Sequence, residues 1–338
     1  MKIALVTPAR PVAHSGNRNT ALRWARLLRE LGHRVSVQTT WNGKAADLMI
    51  ALHARRSHDA IAGFARAYPT RPLVLILTGT DLYHDIKFDA AAQRSLHLAT
   101  RLIVLQEQGP AELTRELRKK TRVIYQSTQS IPRTPPLAAC FEVCVSGHLR
   151  DVKDPLRLAA ALRYMPAQSR LRAVQIGGAM SVSMRREARR WQRREPRYRW
   201  VGELPHGAAL RRLARARLMV ISSRMEGGAN VVTEALAAGV PVIASRIPGN
   251  IGMLGSAYAG YYPCGDEQAL ARILWRAESD ADFYALLKRQ CAARRRLIRR
   301  SREKAALRRL LQELNAGRRT SGTAKQCSDR GKGTPVRR

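Results

Sequence analysis

The apolar residues of the chain occur in short runs that alternate with segments of helical spacing. The first run covers residues 2–7, and residues 19–31 then place leucines and alanines at steps of three and four before Gly32. This spacing predicts a buried strand followed by an amphipathic helix. Five more apolar runs follow, with helical segments between them, at residues 34–39, 48–52, 73–78, 102–105 and 122–125. Strands that alternate with helices predict a parallel sheet covered on both faces.

A proline-rich segment divides this series from a second one. Its three prolines (Pro132, Pro135 and Pro136) can continue neither a helix nor a central strand. Beyond it, strands are predicted at residues 141–146, 173–176, 200–201, 218–221 and 242–244. Helices are predicted between and after them, at residues 155–164, 184–195, 208–216, 231–238 and 267–278. The pattern therefore predicts two α/β domains.

The domain boundaries follow from these changes in pattern. We expect an N-terminal domain at residues 1–130, a linker at 131–138 and a second domain at 139–281. An arginine-rich helical segment follows at 282–314 and could pack back on the first domain. Residues 315–338 have almost no apolar side chains, so they are predicted to form a basic, disordered tail.

Composition restricts the class of protein, and charge is its unusual feature. The 338 residues are 45% hydrophobic and 25% charged, as in ordinary globular proteins. The net charge of +36 comes from 51 arginines and 10 lysines against 25 acidic residues. Such a charge attracts polyanions, but the excess of arginine over lysine resembles the codon bias of a GC-rich genome. We therefore expect no specific nucleic-acid partner.

Neither a membrane span nor a disulfide framework is predicted. No apolar stretch approaches the roughly 20 residues that a spanning helix needs, and no secretory leader is expected, since Pro8 and Arg10 interrupt the first apolar run. The five cysteines have no Cys-x-x-Cys spacing, so reduced thiols and a cytoplasmic location are expected. Peripheral contact with a membrane is left open.

The most informative motif lies between two predicted strands, at residues 222–245. A glycine-containing loop carries Glu226, and a helix that begins near Asn230 carries Glu234 one turn later. Amides at such a helix start favour phosphate or another oxygen-rich ligand. Carboxylates eight positions apart could accept hydrogen bonds from separate hydroxyl groups of one ligand. Taken singly, Glu226 is more simply interpreted as a solvated loop glutamate and Glu234 as an ordinary helical one.

The whole motif, Glu-x7-Glu followed by Ala-Leu-Ala-Ala-Gly-Val-Pro, resembles the signature of retaining glycosyltransferases of family 4. The resemblance implies the GT-B architecture, in which two Rossmann-like parallel-sheet domains face each other across a cleft. It also implies a UDP-sugar donor and no metal or other cofactor. In that family the first glutamate contacts the donor sugar and the second the ribose, which here are Glu226 and Glu234. Amides after the first glutamate contact the sugar or phosphate, here those of Gly228, Ala229 and Asn230.

The same resemblance implies a basic pair at the start of the second domain. Lys153 matches the family's lysine, but His148 occupies the usual arginine position and Arg150 is displaced by two residues. Fixed cations would stabilise the departing diphosphate, so Arg150 and Lys153 join Glu226 as predicted catalytic residues, with His148 as a donor contact. Alternatively, both cations belong to an ordinary basic surface.

Two loops of the first domain are predicted to reach the cleft. Residues 11–20 follow the first strand, a position at which α/β sheets bind ligands. Gly16 would approach the donor, and Asn19 or Thr20 could cap the next helix. The predicted acceptor contacts are Asn17, Arg18, Thr20 and, in the loop at residues 78–83, Asp81. Asp81 could equally be a helix cap, and Arg18 a surface residue.

A narrower resemblance concerns the acceptor. The segments 15–25, 77–83, 147–155 and 245–255 resemble those of the selenosugar synthases of selenoneine biosynthesis. That family joins selenophosphate to a UDP-sugar such as UDP-N-acetylglucosamine, forms a C1–Se bond and releases UDP and phosphate. The alternatives are a conventional family 4 enzyme with a carbohydrate or lipid-linked acceptor and, from another class, a nucleic-acid-binding protein that uses the arginine-rich helix predicted over residues 184–200.

Overall fold

Runs of buried aliphatic side chains form two six-stranded sheets in which every pair of neighbouring strands is parallel. The computed structural model describes residues 1–9 and 16–328. The first sheet has the order β2-β1-β3-β4-β5-β6. Its strands are β1 (Lys2–Val6), β2 (Arg34–Gln38), β3 (Leu48–Leu52), β4 (Leu73–Ile76), β5 (Arg101–Val104) and β6 (Thr121–Val123). Strand β3 is buried along its whole length, as expected when helices cover both faces of a sheet.

The second sheet has the order β12-β11-β10-β7-β8-β9. Its strands are β7 (Phe141–Ser146), β8 (Leu171–Ile176), β9 (Tyr198–Trp200), β10 (Leu218–Ile221), β11 (Val242–Ser245) and β12 (Tyr261–Tyr262). In both sheets the strand order reverses direction beside the first strand of the domain. Such reversals open crevices at the carboxyl ends of the strands.

Helices flank both sheets. Those of the N-terminal domain are α1 (Gly16–Glu30), α2 (His58–Ala67), α3 (Ile86–Phe88), α4 (Ala90–Leu98) and α5 (Arg115–Lys119). Those of the second domain are α6 (Arg157–Leu162), α7 (Val182–Arg194), α8 (His206–Arg215), α9 (Asn230–Ala238), α10 (Pro248–Leu254), α11 (Glu267–Ser279) and α12 (Ala281–Arg294). The two-domain α/β fold predicted from the sequence is confirmed.

The last helix, α13 (Arg300–Ser328), returns to the N-terminal domain. Its leucines, from Leu307 to Leu314, pack in the same apolar cluster as Trp24 of α1. The buried carboxylate of Glu303 accepts a hydrogen bond from the Trp24 indole at 2.9 Å and pairs with Arg23 at 3.1 Å. A buried charge needs such partners, so Glu303 fixes where this helix docks.

Several predicted boundaries were wrong. Helix α1 begins at Gly16, so Asn19 and Thr20 lie inside it and do not cap it. The arginine-rich helix ends at Arg194, and residues 198–200 form β9. Helix α13 continues to Ser328, beyond the predicted start of a disordered tail at residue 315, while residues 329–338 lie outside the described residues.

Candidate active site

A cleft of about 790 Å³ lies between the two domains, at the carboxyl ends of both sheets. Residues that follow β1, β3, β4, β5 and β6 line one wall, and residues that follow β7, β8 and β10 line the other. Convergent polar groups in one large interdomain crevice are typical of a ligand site. Both domains therefore contribute to a single candidate site.

An ion pair lies on the wall of the cleft that the second domain forms. Lys153 Nζ donates to Glu226 Oε1, and Ser223 Oγ donates to the same oxygen at 2.6 Å. A short 3₁₀ turn, Asp151–Lys153, presents the lysine. This turn is tied to the Glu226 loop, because the Arg224 amide donates to Val152 O at 2.9 Å. The two predicted catalytic residues Lys153 and Glu226 thus lie in direct contact.

Glu234, in contrast, has no hydrogen-bond partner among the described residues. It lies one turn inside α9 and lines the cleft. Burial raises the pKa of its carboxyl group to about 7, and the positive charge of Arg23 opposes this shift only in part. A desolvated carboxylate gains most from a ligand that donates hydrogen bonds. Glu234 is therefore suited to bind hydroxyl groups.

The N-terminus of α9 also faces the cleft. Ala229 occupies the N-cap position and provides no side-chain hydrogen bond to the helix. Asn230 and Val231, the first residues of the helix, line the cavity. Uncapped amides at the positive end of a helix favour anions. The nine-residue helix thus presents donors next to the Lys153–Glu226 pair.

The glycines of the Glu226 loop have a steric role that the sequence did not indicate. A Cβ atom on Gly227 would lie 1.5 Å from the carbonyl oxygen of Thr78, in the opposite domain. A Cβ atom on Gly228 would lie 2.6 Å from Cβ of Leu105, also in the opposite domain. Glycine is required here because the two domains meet at this loop.

Gln126 joins the two walls through one buried carboxamide. Its Oε1 accepts from Thr20 Oγ1 and from Arg23 Nη2, each at 2.5 Å. Its Nε2 donates across the interface to the carbonyl oxygen of Gly228. Sequence reasoning missed this residue. Its position just after the last strand of the first sheet, at the carboxyl edge, was the available signal.

The N-terminal wall carries a cation that sequence reasoning also missed. Arg56 follows β3, lines the cleft and has no carboxylate partner among the described residues. His53 lies beside it, with Nε2 3.2 Å from Thr80 Oγ1. Burial lowers the pKa of the His53 imidazole. Within the described residues, the cleft carboxylates (Glu203, Glu226 and Glu234) all come from the second domain.

Most of the predicted site residues are brought together. The cleft is lined by Gly16, Asn17, Thr20, His148, Arg150, Lys153, Glu226, Gly228, Ala229, Asn230 and Glu234. Two predicted acceptor contacts are not on its wall, namely Arg18 and Asp81. The predicted loop residues 11–15 lie outside the described residues.

Asp81 has a structural role in place of the predicted acceptor contact. The residue is fully buried at the start of a π-helical turn, Asp81–Asp85. Its Oδ1 accepts from both the amide and the hydroxyl group of Thr78 at 2.8 Å, and its Oδ2 accepts from the Ala54 amide at 2.9 Å. Both oxygens are therefore occupied in holding the loop that contacts Gly227.

Neither a metal cluster nor a membrane span is found among the described residues. No group of three or more histidine, cysteine, aspartate or glutamate side chains there is arranged to hold a metal ion. Over the same residues, every helix is too short or too polar to cross a bilayer.

Comparisons with known proteins agree with this fold. Residues 140–303 match the family model of glycosyl transferases group 1. The structure of Anabaena Alr3699/HepE in complex with UDP and glucose superposes with a TM-score of 0.74 at 19% identity, covering 93% of this chain and all of that one. Sucrose-phosphate synthase from Thermosynechococcus elongatus has a TM-score of 0.75 at 18% identity, covering 94% of this chain and 99% of that one. The chain therefore has the GT-B fold, and its match to the group 1 glycosyl transferases falls on the second domain.

Proposed function

We propose that the protein transfers the sugar of a UDP-sugar, such as UDP-N-acetylglucosamine, to selenophosphate, and that it does so as a retaining enzyme of family 4. The donor would lie along the second domain. Glu234 would accept hydrogen bonds from the ribose, and the α9 amides would contact the diphosphate. HepE, a protein of the same fold, binds UDP and glucose, which supports a UDP-sugar as the donor.

The Lys153–Glu226 pair supplies charges of both signs where the donor would react. As the C1–O bond breaks, its electron pair leaves on the β-phosphate of UDP. Lys153, and Arg150 on the same wall, would stabilise that charge. Glu226 would then accept hydrogen bonds from sugar hydroxyls. In the free protein Lys153 and Glu226 pair with each other. Donor binding would replace this ion pair by a contact of Lys153 with the diphosphate and by hydrogen bonds from sugar hydroxyls to Glu226.

The proposal about the acceptor rests on the residues of the N-terminal wall of the cleft. Among the described residues this wall has the cation Arg56 and no carboxylate. Selenophosphate is already an anionic, soft nucleophile, so Arg56 could hold it and no group on this wall, His53 included, would have to take a proton from it. Selenium would attack C1 as UDP leaves. Water would then hydrolyse the P–Se bond, giving its oxygen to phosphate and a proton to selenium.

The proposed reaction uses no cofactor and would take place in a reducing compartment. A selenol product requires such conditions, and four cysteines (Cys140, Cys144, Cys264 and Cys291) are free thiols. A cytoplasmic location is consistent with both features.

The test is an anaerobic reaction of the purified protein with UDP-N-acetylglucosamine and selenophosphate. Chromatography would measure the UDP released, and mass spectrometry would identify the selenosugar. NMR would determine the anomeric configuration of the selenosugar. We expect UDP, phosphate and an α-selenosugar in equal amounts, with thiophosphate as a slower substrate. Release of UDP only with a carbohydrate or lipid-linked acceptor would refute the selenium assignment in favour of a conventional family 4 transferase. Full activity after Lys153→Ala and Glu226→Ala together would refute the site itself.

A further inference from the structure

Helix α7 presents an unpaired basic surface outside the active site. Six of its thirteen residues are exposed arginines, at positions 185, 186, 189, 190, 193 and 194. At 100° per residue these positions lie within about half of the helix circumference. None of the six has a carboxylate partner within the described part of the chain. By contrast, Arg197, just beyond the helix, pairs with Glu195.

The opposite face of α7 is fixed to its own domain. Ala188 is fully buried, and Met184 and Trp191 pack against the apolar core of the second domain. The arginine face therefore points away from the protein body. Since the helix is held by its apolar side, this face needs no rearrangement to meet a partner.

Two large apolar side chains accompany the arginines. Met180 and Val182, at the N-terminal end of α7, are each 66% exposed. Met180 also lines the opening of the cleft. Exposed apolar residues beside a basic face are typical of segments that lie at a membrane surface, where arginines meet phosphate groups and apolar side chains enter the acyl boundary.

We propose that the surface formed by Met180, Val182 and the six arginines of α7 docks the protein on an anionic lipid bilayer. The arginines would contact lipid phosphates and the two apolar side chains would insert. Because Met180 belongs both to this surface and to the lining of the cleft opening, the opening would then lie beside the bilayer. A nucleic acid would use the arginines but would leave Met180 and Val182 exposed, which is why the observations favour lipid.

The test is co-sedimentation of the full-length protein with phosphatidylcholine vesicles that contain or lack phosphatidylglycerol. We expect binding only to the anionic vesicles, with affinity that falls as salt is added. A triple variant, Arg185→Gln with Arg189→Gln and Arg193→Gln, should bind about 100-fold more weakly, because each arginine near an anionic surface contributes about one kcal/mol. Met180→Ser with Val182→Ser should weaken the binding that persists at high salt.

A matched control removes the same charge elsewhere. Arg26, Arg66 and Arg94 are exposed arginines of the N-terminal domain without carboxylate partners among the described residues. Their triple glutamine variant should keep nearly full vesicle binding. Equal losses in the two triple variants would refute the proposal, because net charge alone would then explain binding. Binding of duplex DNA through α7 without binding of vesicles would also refute it. No sugar donor is used, so either result is independent of the proposed transfer reaction.

Discussion

The carboxyl group of Glu234 should make the stability of the free protein depend on pH. Burial raises its pKa from the ordinary 4.5 to about 7. In the unfolded chain the group releases its proton near the ordinary value. Between these two pH values the native state binds more protons than the unfolded state. Stability therefore falls as pH rises through this range.

The size of the effect follows from the shift. About 2.5 pH units at 1.36 kcal/mol each give roughly 3 kcal/mol, fully present below pH 4.5 and lost above about pH 7. Glu234→Gln removes the titrating group but keeps the shape of the side chain. Above pH 7 the variant should be more stable than the wild type by up to about 3 kcal/mol, and near pH 4.5 this difference should vanish.

The assay is urea unfolding of both proteins at several pH values from 4.5 to 8. Glu116→Gln, at an exposed glutamate of α5, serves as the control and should follow the wild type. Ligand binding should show the opposite trend. In the proposed binding mode ribose hydroxyls would donate to the ionised carboxylate, so UDP-N-acetylglucosamine should bind the wild type more weakly as pH falls below 7. A stability difference between Glu234→Gln and the wild type that does not change with pH would refute this reasoning.

Three further changes test other parts of the structure. Gly227→Ala places a Cβ atom against a carbonyl oxygen of the opposite domain and should lower kcat/KM about 100-fold. Gly207→Ala, where the nearest atom is 3.5 Å away, should have little effect, and similar activities would contradict the steric argument. Glu303→Ala removes the carboxylate that pairs with the largely buried Arg23 and should cost about 3 kcal/mol in urea unfolding. Glu30→Ala breaks only the exposed pairs that Glu30 of α1 makes with Arg300 and Lys304 of α13, and it should change little. Gln126→Ala should lower kcat/KM about tenfold with unchanged helix content by circular dichroism, and unaltered kinetics would exclude a positioning role for this carboxamide.

The alternation of strands and helices was sufficient to predict the two α/β domains, because buried parallel strands are continuous apolar runs. It was insufficient for β12, whose two residues, Tyr261 and Tyr262, are too few to form a pattern. The start of α1 was misplaced because Asn19 and Thr20 are good cap residues by type, whereas the hydroxyl of Thr20 instead bonds to Gln126. Residue preference alone could not reveal that tertiary contact.

Residues of the site were predictable where a local motif carries them, as for Glu226 and Glu234. The requirement for Gly227, the bridge through Gln126 and the burial of Asp81 depend on contacts between segments far apart in sequence. Such contacts leave no local signal, because each arises from the way two separately folded sheets meet.

The most direct test of the central claim is calorimetric titration of UDP into the wild-type protein and into Lys153→Ala. A single UDP molecule should bind per chain. The variant should bind at least about tenfold more weakly, because it loses the cation proposed to contact the diphosphate and leaves Glu226 without its ion-pair partner. Absence of UDP binding, or equal affinities for the two proteins, would contradict the assignment of the cleft between the domains as a nucleotide-sugar site.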